Sequence, residues 1–270
     1  MRLLKQQPAG VKTMVELIDI NKKFNPATVN ETVLFEDFNF TLKKGDFLSI
    51  VGSNGSGKTT LLNLIGGSIL PDSGKIMLDG KDITTLKEFK RSAKIGRVFQ
   101  DPSKGVSPNM TIFENLALAE NKGNLYGLSA GFSKKKTDYY KSLLAPLGLG
   151  LEDKGNVKMG SLSGGQRQSV AIIMATLTPI DLLLLDEHTA ALDPKTADKI
   201  MEFTNQVVKE KNLTAAMVTH NLRYAVEYGN RLMMMHEGSV VLDIAGEKKQ
   251  SATVDDLLGL FNTISIECGN

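Results

Sequence analysis

Apolar and polar positions alternate through Met14-Val15-Glu16-Leu17-Ile18-Asp19-Ile20, the period-two pattern of a half-exposed antiparallel strand. Asn21-Lys22-Lys23-Phe24-Asn25-Pro26 then leaves that strand. Alternation resumes at Val33, Phe35, Phe38, Phe40 and Leu42, and Lys43-Lys44-Gly45-Asp46 makes the next turn. Two later stretches do not alternate. Phe47-Leu48-Ser49-Ile50-Val51 and Leu182-Leu183-Leu184-Leu185 are nearly unbroken apolar runs, which predicts strands covered on both faces, as in a parallel sheet. Shorter strands are expected over Lys75–Leu78, Lys94–Gln100 and Ala215–Val218, with turns at Pro71-Asp72-Ser73-Gly74 and Asp79-Gly80.

Helical spacing appears in Thr60–Ile65, Met110–Leu118, the stretch opened by Lys134–Tyr140, the run from Ser163 through Ala175, and Val254–Leu258. Gly123, Gly127 and Gly131 mark loops between the second and third of these. The pattern predicts an α/β fold: an α/β core, an antiparallel β sub-domain and an inserted α-helical sub-domain at about 108–178. The whole is one domain over 14–270 behind an N-terminal extension of residues 1–13. No internal repeat or low-complexity tract appears.

Composition narrows the function classes. With 32 basic and 30 acidic residues in 270, the formal net charge is +2, which gives no electrostatic footprint for nucleic acid. The Lys134–Lys136 run reads as a solvated helix face. The single cysteine, Cys268, leaves neither a disulfide framework nor a cysteine metal site, and fits a reducing compartment. The start lacks the apolar core of a signal peptide. The greasiest region, Val170–Leu185, is interrupted by Pro179 and Asp181, so no membrane span is expected.

The candidate chemistry gathers at strand ends. Gly52-Ser53-Asn54-Gly55-Ser56-Gly57-Lys58-Thr59 follows the apolar run at 47–51 and precedes a helix, which is the P-loop spacing in its proper strand–loop–helix context and makes the expected α/β core a P-loop NTPase core. Its glycines let successive N–H groups face an anion, and the helix N-terminus adds positive potential. Lys58 can reach β- and γ-phosphates, the Thr59 hydroxyl can ligate Mg²⁺, and Thr60 continues the nucleotide-binding run. Asp186 and Glu187 close the second apolar run, where ligands bind in open α/β sheets. They are placed to hold Mg²⁺ and to polarise a hydrolytic water. Gln100 could reach a metal or that water, although a strand-ending Gln is ordinarily surface. His220, after Ala215–Val218, could contact a γ-phosphate. Ser163-Gly164-Gly165-Gln166 caps a helix and offers a second set of anion-binding N–H groups, or a plain glycine-containing cap. Phe24 reads either as a core aromatic or as a stacking partner for a base.

In this order the motifs resemble the ATP-binding-cassette family of ATPases over nearly the whole chain. The resemblance identifies Gly52–Thr59 as Walker A, Gln100 as the Q-loop glutamine, and Leu162–Gln166 as the signature. Asp186 and Glu187 end Walker B, Ala191-Leu192-Asp193 is the D-loop, and His220 is the switch histidine. It implies ATP and Mg²⁺ as ligands, with Thr59, Gln100 and Asp186 on the metal and Glu187, His220, Gln100 and Lys58 in catalysis. It also implies a head-to-tail homodimer in which Ser163, Gly164, Gly165 and Gln166 of one copy meet the nucleotide of the other, with Asp193 nearby and Phe24 against adenine. His188, where many relatives have Pro or Ser, departs from the pattern.

A stand-alone cassette without coiled-coil or zinc insertions resembles a bacterial importer subunit. The implied partners are a membrane permease and, indirectly, an extracytoplasmic substrate-binding protein, with no nucleic acid. The location is the cytoplasmic face of the membrane. The stretch Asp186–Ala197 resembles cassettes that serve branched-chain-amino-acid-type permeases with tryptophan or tyrosine as cargo. An exporter, a lipoprotein-release ATPase or a non-transport cassette is the alternative. Asp101–Leu118 is the expected permease contact, with Asn109–Phe113 offering apolar groups.

Overall fold

The computed structural model describes residues 12–122 and 133–267; the loop glycines Gly123, Gly127 and Gly131, Cys268 and most of the N-terminal extension lie outside the described residues. The first two strands, β1 (Thr13–Phe24) and β2 (Thr32–Lys43), pair antiparallel with Leu17 opposite Phe40. The strand expected to stop at Ile20 continues to Phe24. Its alternation fails midway because the pairing shifts register between Leu17 and Ile20, and Asp19 and Asp37 take left-handed backbone (φ 50° and 47°). Asn39 and Asn21 close these irregularities: Asn39 Oδ1 accepts from Asp19 N–H at 3.1 Å and Asn21 Nδ2 donates to Asp37 at 3.2 Å.

Next comes β3 (Phe47–Gly52), which enters α1 (Lys58–Gly66). After it, β4 (Ser73–Leu78) and β5 (Lys81–Asp82) complete a four-stranded antiparallel sheet in the order β2-β1-β4-β5. A single helical turn, α2 (Glu88–Arg91), leads to β6 (Ile95–Val98). The helical layer follows with α3 (Ile112–Glu120), a Lys134–Lys136 turn running into α4 (Thr137–Leu144), and α5 (Gly164–Thr176). Helix α3 starts two residues later than the apolar spacing suggests, because Thr111 and Glu114 form a reciprocal capping box. Lys134, Lys135 and Lys136 are exposed, and Lys136 pairs with Glu120 at 2.8 Å.

The chain then returns to the second sheet through β7 (Leu182–Asp186), α6 (Pro194–Glu210), β8 (Thr214–Val218), α7 (Leu222–Glu227), β9 (Arg231–His236) and β10 (Ser239–Ala245). It ends in α8 (Glu247–Gln250) and α9 (Val254–Glu267). The sheet order is β10-β9-β3-β8-β7-β6, parallel except for β10. Every residue of β3, β7 and β8 is buried, so the unbroken apolar runs follow from cover on both faces. Strand β9 (Leu232-Met233-Met234-Met235) and helix α6 are elements that the apolar pattern had not separated.

Apolar packing forms distinct clusters. One, with Leu17, Ile50, Leu61, Ile65 and Met233, lies between the two sheets around α1. A second, with Ile172, Leu183, Met201 and Met217, lies under α6. A third belongs to the helical layer and contains Ile112, Phe113, Leu116, Tyr140, Leu144 and Ile173. Helix α5 feeds both of the latter, with Ile172 in one and Ile173 in the other. Ile112 and Phe113 therefore cannot present apolar groups to a partner, contrary to the sequence expectation; they are 0% and 3% exposed.

Arg91 ties the β4–β6 connection to the P-loop helix. It is fully enclosed, and its guanidinium donates to the carbonyls of Leu64 (2.6 Å), Ile65 (3.0 Å), Thr84 (2.9 Å) and Leu86 (2.8 Å). Leu64 and Ile65 sit in the last turn of α1, whose carbonyls lack helical partners. Arg91→Met keeps the bulk and removes the donors. It should cost about 3 kcal/mol, the scale of buried acceptors left unpaired, seen as a lower urea midpoint with an unchanged slope.

Candidate functional site

The loop between β3 and α1 is shaped by close backbone approach. Gly52 has φ 153° and Gly57 φ 100°. A Cβ on Gly52 would stand 2.1 Å from the Met235 carbonyl oxygen, and one on Gly57 2.8 Å from the Phe35 ring. Only glycine satisfies both the dihedral and the space at these positions. Lys58, at the first turn of α1, is buried, and its Nζ donates to the carbonyls of Gly52 (2.8 Å) and Ser53 (2.7 Å). Burial pushes its pKa down, opposed by the charges of Glu187 and Asp186. Ser53 Oγ lies 3.3 Å from His236 Nδ1, and the Ser56 carbonyl accepts from Gly238 N–H at 3.1 Å. The loop is thereby pinned to the β9–β10 turn.

Phe24, Asn54, Gly55, Lys58, Thr60 and Glu187 line one cleft of about 360 Å³, together with His220. Phe24, the last residue of β1, is half-buried and belongs to none of the apolar clusters. Phe24 therefore sits at the wall of the P-loop cleft and outside the apolar clusters.

Three strand ends converge on Glu187. Its backbone is left-handed (φ 45°) and its N–H donates to the Val218 carbonyl at 2.9 Å, which fixes it to β8. Gln100 Nε2 donates to Oε2 at 2.9 Å, and His220 Nε2 lies 2.7 Å from Oε1. Gln100 is two residues beyond the end of β6, rather than the end of a strand through residue 100, and His220 is two residues beyond β8. Both are exposed residues, yet each has a defined partner.

Asp186 ends β7, and its Oδ1 accepts from Thr59 Oγ1 at 3.1 Å. Thr59, Gln100 and Asp186 line a common cleft. A carboxylate and a hydroxyl in contact are hard oxygen donors that suit Mg²⁺. Among the described residues no group of three or more His, Cys, Asp or Glu side chains is arranged to hold a metal ion. Mg²⁺ held by one carboxylate and substrate phosphates needs no such cluster, so the residues present fit the ion. Arg97 was missed in the sequence. It lies 3.5 Å from Asp186 Oδ2 and 2.5 Å from Asn63 Oδ1. The available signal was a charged residue inside the short apolar strand Ile95-Gly96-Arg97-Val98.

The second motif is elsewhere. Ser163 is the N-cap of α5, with a reciprocal capping box to Gln166. A Cβ on Gly165 would stand 2.3 Å from Thr196 Cγ2, so this glycine also lets α5 lie close to α6. Asp193 caps α6 by accepting from Thr196 N–H at 3.1 Å. Ser163, Gly164, Gly165, Gln166 and Asp193 do not line the cleft of Phe24 and Lys58.

Comparison with known proteins follows the same arrangement. Residues 35–190 match the family described as ABC transporter. The chain is 47% identical over 248 residues to a tyrosine transport ATP-binding protein of Clostridioides difficile (strain R20291), covering 92% of this chain and 98% of that protein. It is 36% identical over 250 residues to the spermidine/putrescine import ATP-binding protein PotA of Protochlamydia amoebophila (strain UWE25), covering 90% of this chain but 62% of that relative. Among solved structures, the dimeric post-hydrolysis state of the ATP-binding cassette MJ0796 bound to ADP and Pi matches with a TM-score of 0.74 at 31% identity, covering 86% of this chain and 98% of that one. The ADP conformation of the cassette MJ1267 matches with a TM-score of 0.76 at 26% identity, covering 96% and 99%.

His188 resolves as a buried hook. It is 2% exposed, and its Nε2 lies 3.2 Å from Thr204 Oγ1 on α6. Thr204 Oγ1 itself donates to the Ile200 carbonyl at 2.7 Å, so the hydroxyl accepts and His188 Nε2 carries the proton of a neutral ring. Burial pushes the imidazole pKa down to about 4. An unfolded histidine titrates near 6.5, so the unfolded chain binds more protons between these values and stability falls as pH drops through that window. The loss from this group should approach about 3 kcal/mol by pH ~4. His188→Gln should flatten that part of the stability–pH curve measured by denaturant unfolding.

Proposed function

This chain belongs to the ABC transporter family, and from that premise we propose that it drives an importer of an aromatic amino acid, tyrosine foremost. The family binds and hydrolyses ATP, and the chain is an ATPase of that kind. The observation that carries the mechanistic reading is Glu187, held between Gln100 and His220 on the rim of the cleft that contains Lys58.

In this reading ATP is the substrate, and adenine stacks on Phe24. The triphosphate meets the N–H groups of Gly52, Ser53, Asn54, Gly55, Ser56 and Gly57 and the start of α1 at Thr59 and Thr60, while Lys58 turns its ammonium from loop carbonyls to the β- and γ-phosphates. Thr59, Asp186 and Gln100 would hold Mg²⁺, which when bound neutralises phosphate charge. Glu187 accepts a hydrogen bond from the attacking water and aims it in line with the γ-phosphate. His220 and Gln100 fix the two carboxylate oxygens, and His220 can turn toward the transferring phosphate.

Two copies facing head to tail would bring Ser163, Gly164, Gly165 and Gln166 of one to the nucleotide of the other, with Asp193 alongside. Support comes from their position outside this chain's own phosphate cleft, and from the dimeric state of the solved cassette MJ0796, which has the same fold. The helices between about 108 and 178 act as an inserted sub-domain, supported by their own apolar cluster. Among the described residues no helix is long and apolar enough to cross a membrane. In this reading the chain works at the cytoplasmic face through a permease, supplied from outside by a substrate-binding protein, as cassettes named for transport imply. A cleft lined by Phe89, Phe99, Leu118 and Met174 offers the permease an apolar seat. The cargo rests on the relative named for tyrosine transport, nearly all of whose length this chain covers.

Glu187→Gln should retain ATP binding, lose hydrolysis by about a hundredfold or more, and accumulate an ATP-bound dimer on size exclusion; wild-type turnover would remove Glu187 from the reaction. For the cargo, deletion of the coding sequence should abolish uptake of labelled tyrosine, and wild-type chain but not Glu187→Gln should restore it. Unchanged tyrosine uptake with impaired export or lipoprotein release would transfer the assignment to those systems.

A further inference from the structure

Arg97 is the sole charged residue of β6, and its side chain is only 11% exposed. Asn63 Oδ1 at 2.5 Å and Ser68 Oγ at 2.8 Å hold the guanidinium, which lies 4.6 Å from the centre of the Phe99 ring. Its Nε is buried without a hydrogen-bond partner. The remaining contact is Asp186 Oδ2 at 3.5 Å. That separation is long for a charge-assisted hydrogen bond, so Arg97 acts on Asp186 mainly as a fixed positive charge. The other carboxylate oxygen accepts from Thr59 Oγ1. One carboxylate is thus divided between a permanent cation and the hydroxyl assigned above to Mg²⁺.

We propose that Arg97 is a positioning residue that competes with Mg²⁺ for Asp186 and so sets the Mg²⁺ concentration at which nucleotide is bound and released. The inference rests on the reading of Thr59 and Asp186 as the Mg²⁺ pair. A guanidinium keeps its charge throughout the working pH range, and repulsion between it and a divalent ion on the same carboxylate is strong where water is scarce. The weak hydrogen bond it would forfeit cannot offset that repulsion. Arg97 lowers the hold on Mg²⁺ and favours its departure after hydrolysis. It also lines both the cleft of Thr59, Gln100 and Asp186 and the apolar cleft of Phe89, Phe99 and Leu118. The same side chain therefore stands in the wall between the nucleotide site and the permease seat.

The test measures binding of a fluorescent, non-hydrolysable ATP analogue to the full chain as MgCl₂ is raised. Arg97→Met and Arg97→Gln should reach half-saturation at about tenfold lower Mg²⁺. Arg97→Lys should stay near the wild-type concentration, although it cannot reproduce the fork to Asn63 and Ser68. A purely structural arginine would instead lower the unfolding temperature in all three variants and leave the Mg²⁺ concentration unmoved. Arg97→Gln, which retains hydrogen-bonding groups, covers the case in which Arg97→Met does not fold. Unchanged or higher half-saturating Mg²⁺ in a folded neutral variant overturns the proposal. Thr59→Ala and Asp186→Asn separate the two levels. If both keep the wild-type Mg²⁺ dependence, the Mg²⁺ pair itself is wrongly assigned; if they lose it while the neutral Arg97 variants match wild type, Arg97 alone is misread.

Discussion

The parallel pairing of β3, β8 and β7 is the constraint on which the rest of the molecule depends. It sets Ile50 beside Val218 and Val218 beside Asp186, so the three strands end at one level. Each chain segment that leaves them there carries part of the site: the glycine loop after β3, Glu187 after β7 and His220 after β8. Parallel strands must be joined by crossovers, which is why residues more than a hundred positions apart in the sequence share a cleft. A one-residue slip of β7 against β8 would reverse every side chain on it and turn Asp186 away from Thr59.

Charge at this edge is nearly balanced and tightly partnered. Lys58 and Arg97 supply positive charge, and Asp186 and Glu187 supply negative charge, all from residues at least half enclosed. Lys58 is held by loop carbonyls and Glu187 by two side chains from different strands. Such a network keeps each group in place without a preformed ion pair between Lys58 and Glu187, so both remain available to a charged substrate. The cost is local strain, carried by the left-handed backbone at Glu187. His188 on Thr204 and the Asp193 cap clamp the following segment to α6 at two points, holding that strained turn.

The same economy links the layers. Helix α5 has its N-terminus at Ser163, puts Ile172 into the cluster under the sheet and Ile173 into the helical cluster, and binds the Phe99 carbonyl through Gln168 at 3.2 Å. Any shift of the helical layer is therefore felt at the residue preceding Gln100. Phe99 in turn lines the apolar cleft with Phe89 and Leu118, so the path from that cleft to the carboxylate of Glu187 is two residues long.

The sequence by itself determined the features that depend on neighbouring residues. The P-loop follows from glycine spacing between an apolar run and a helix, the cap at Ser163 from a local capping box, and β7 from four consecutive leucines. Each of these is a short-range rule of backbone geometry or burial. What the sequence left open was decided by contacts between distant segments. Phe24 could not be told from a core aromatic until β1, bulged at Asp19, carried it to the rim of the cleft. Ile112 and Phe113 looked like docking groups until the helical cluster enclosed them. Arg97, His188 and Arg91 carry no motif at all: their roles come from Asp186, Thr204 and the last turn of α1, which lie 89, 16 and about 27 positions away. Periodicity reports which face of an element is buried, whereas the partner a buried polar group finds there is fixed only when the sheets and helices close over it.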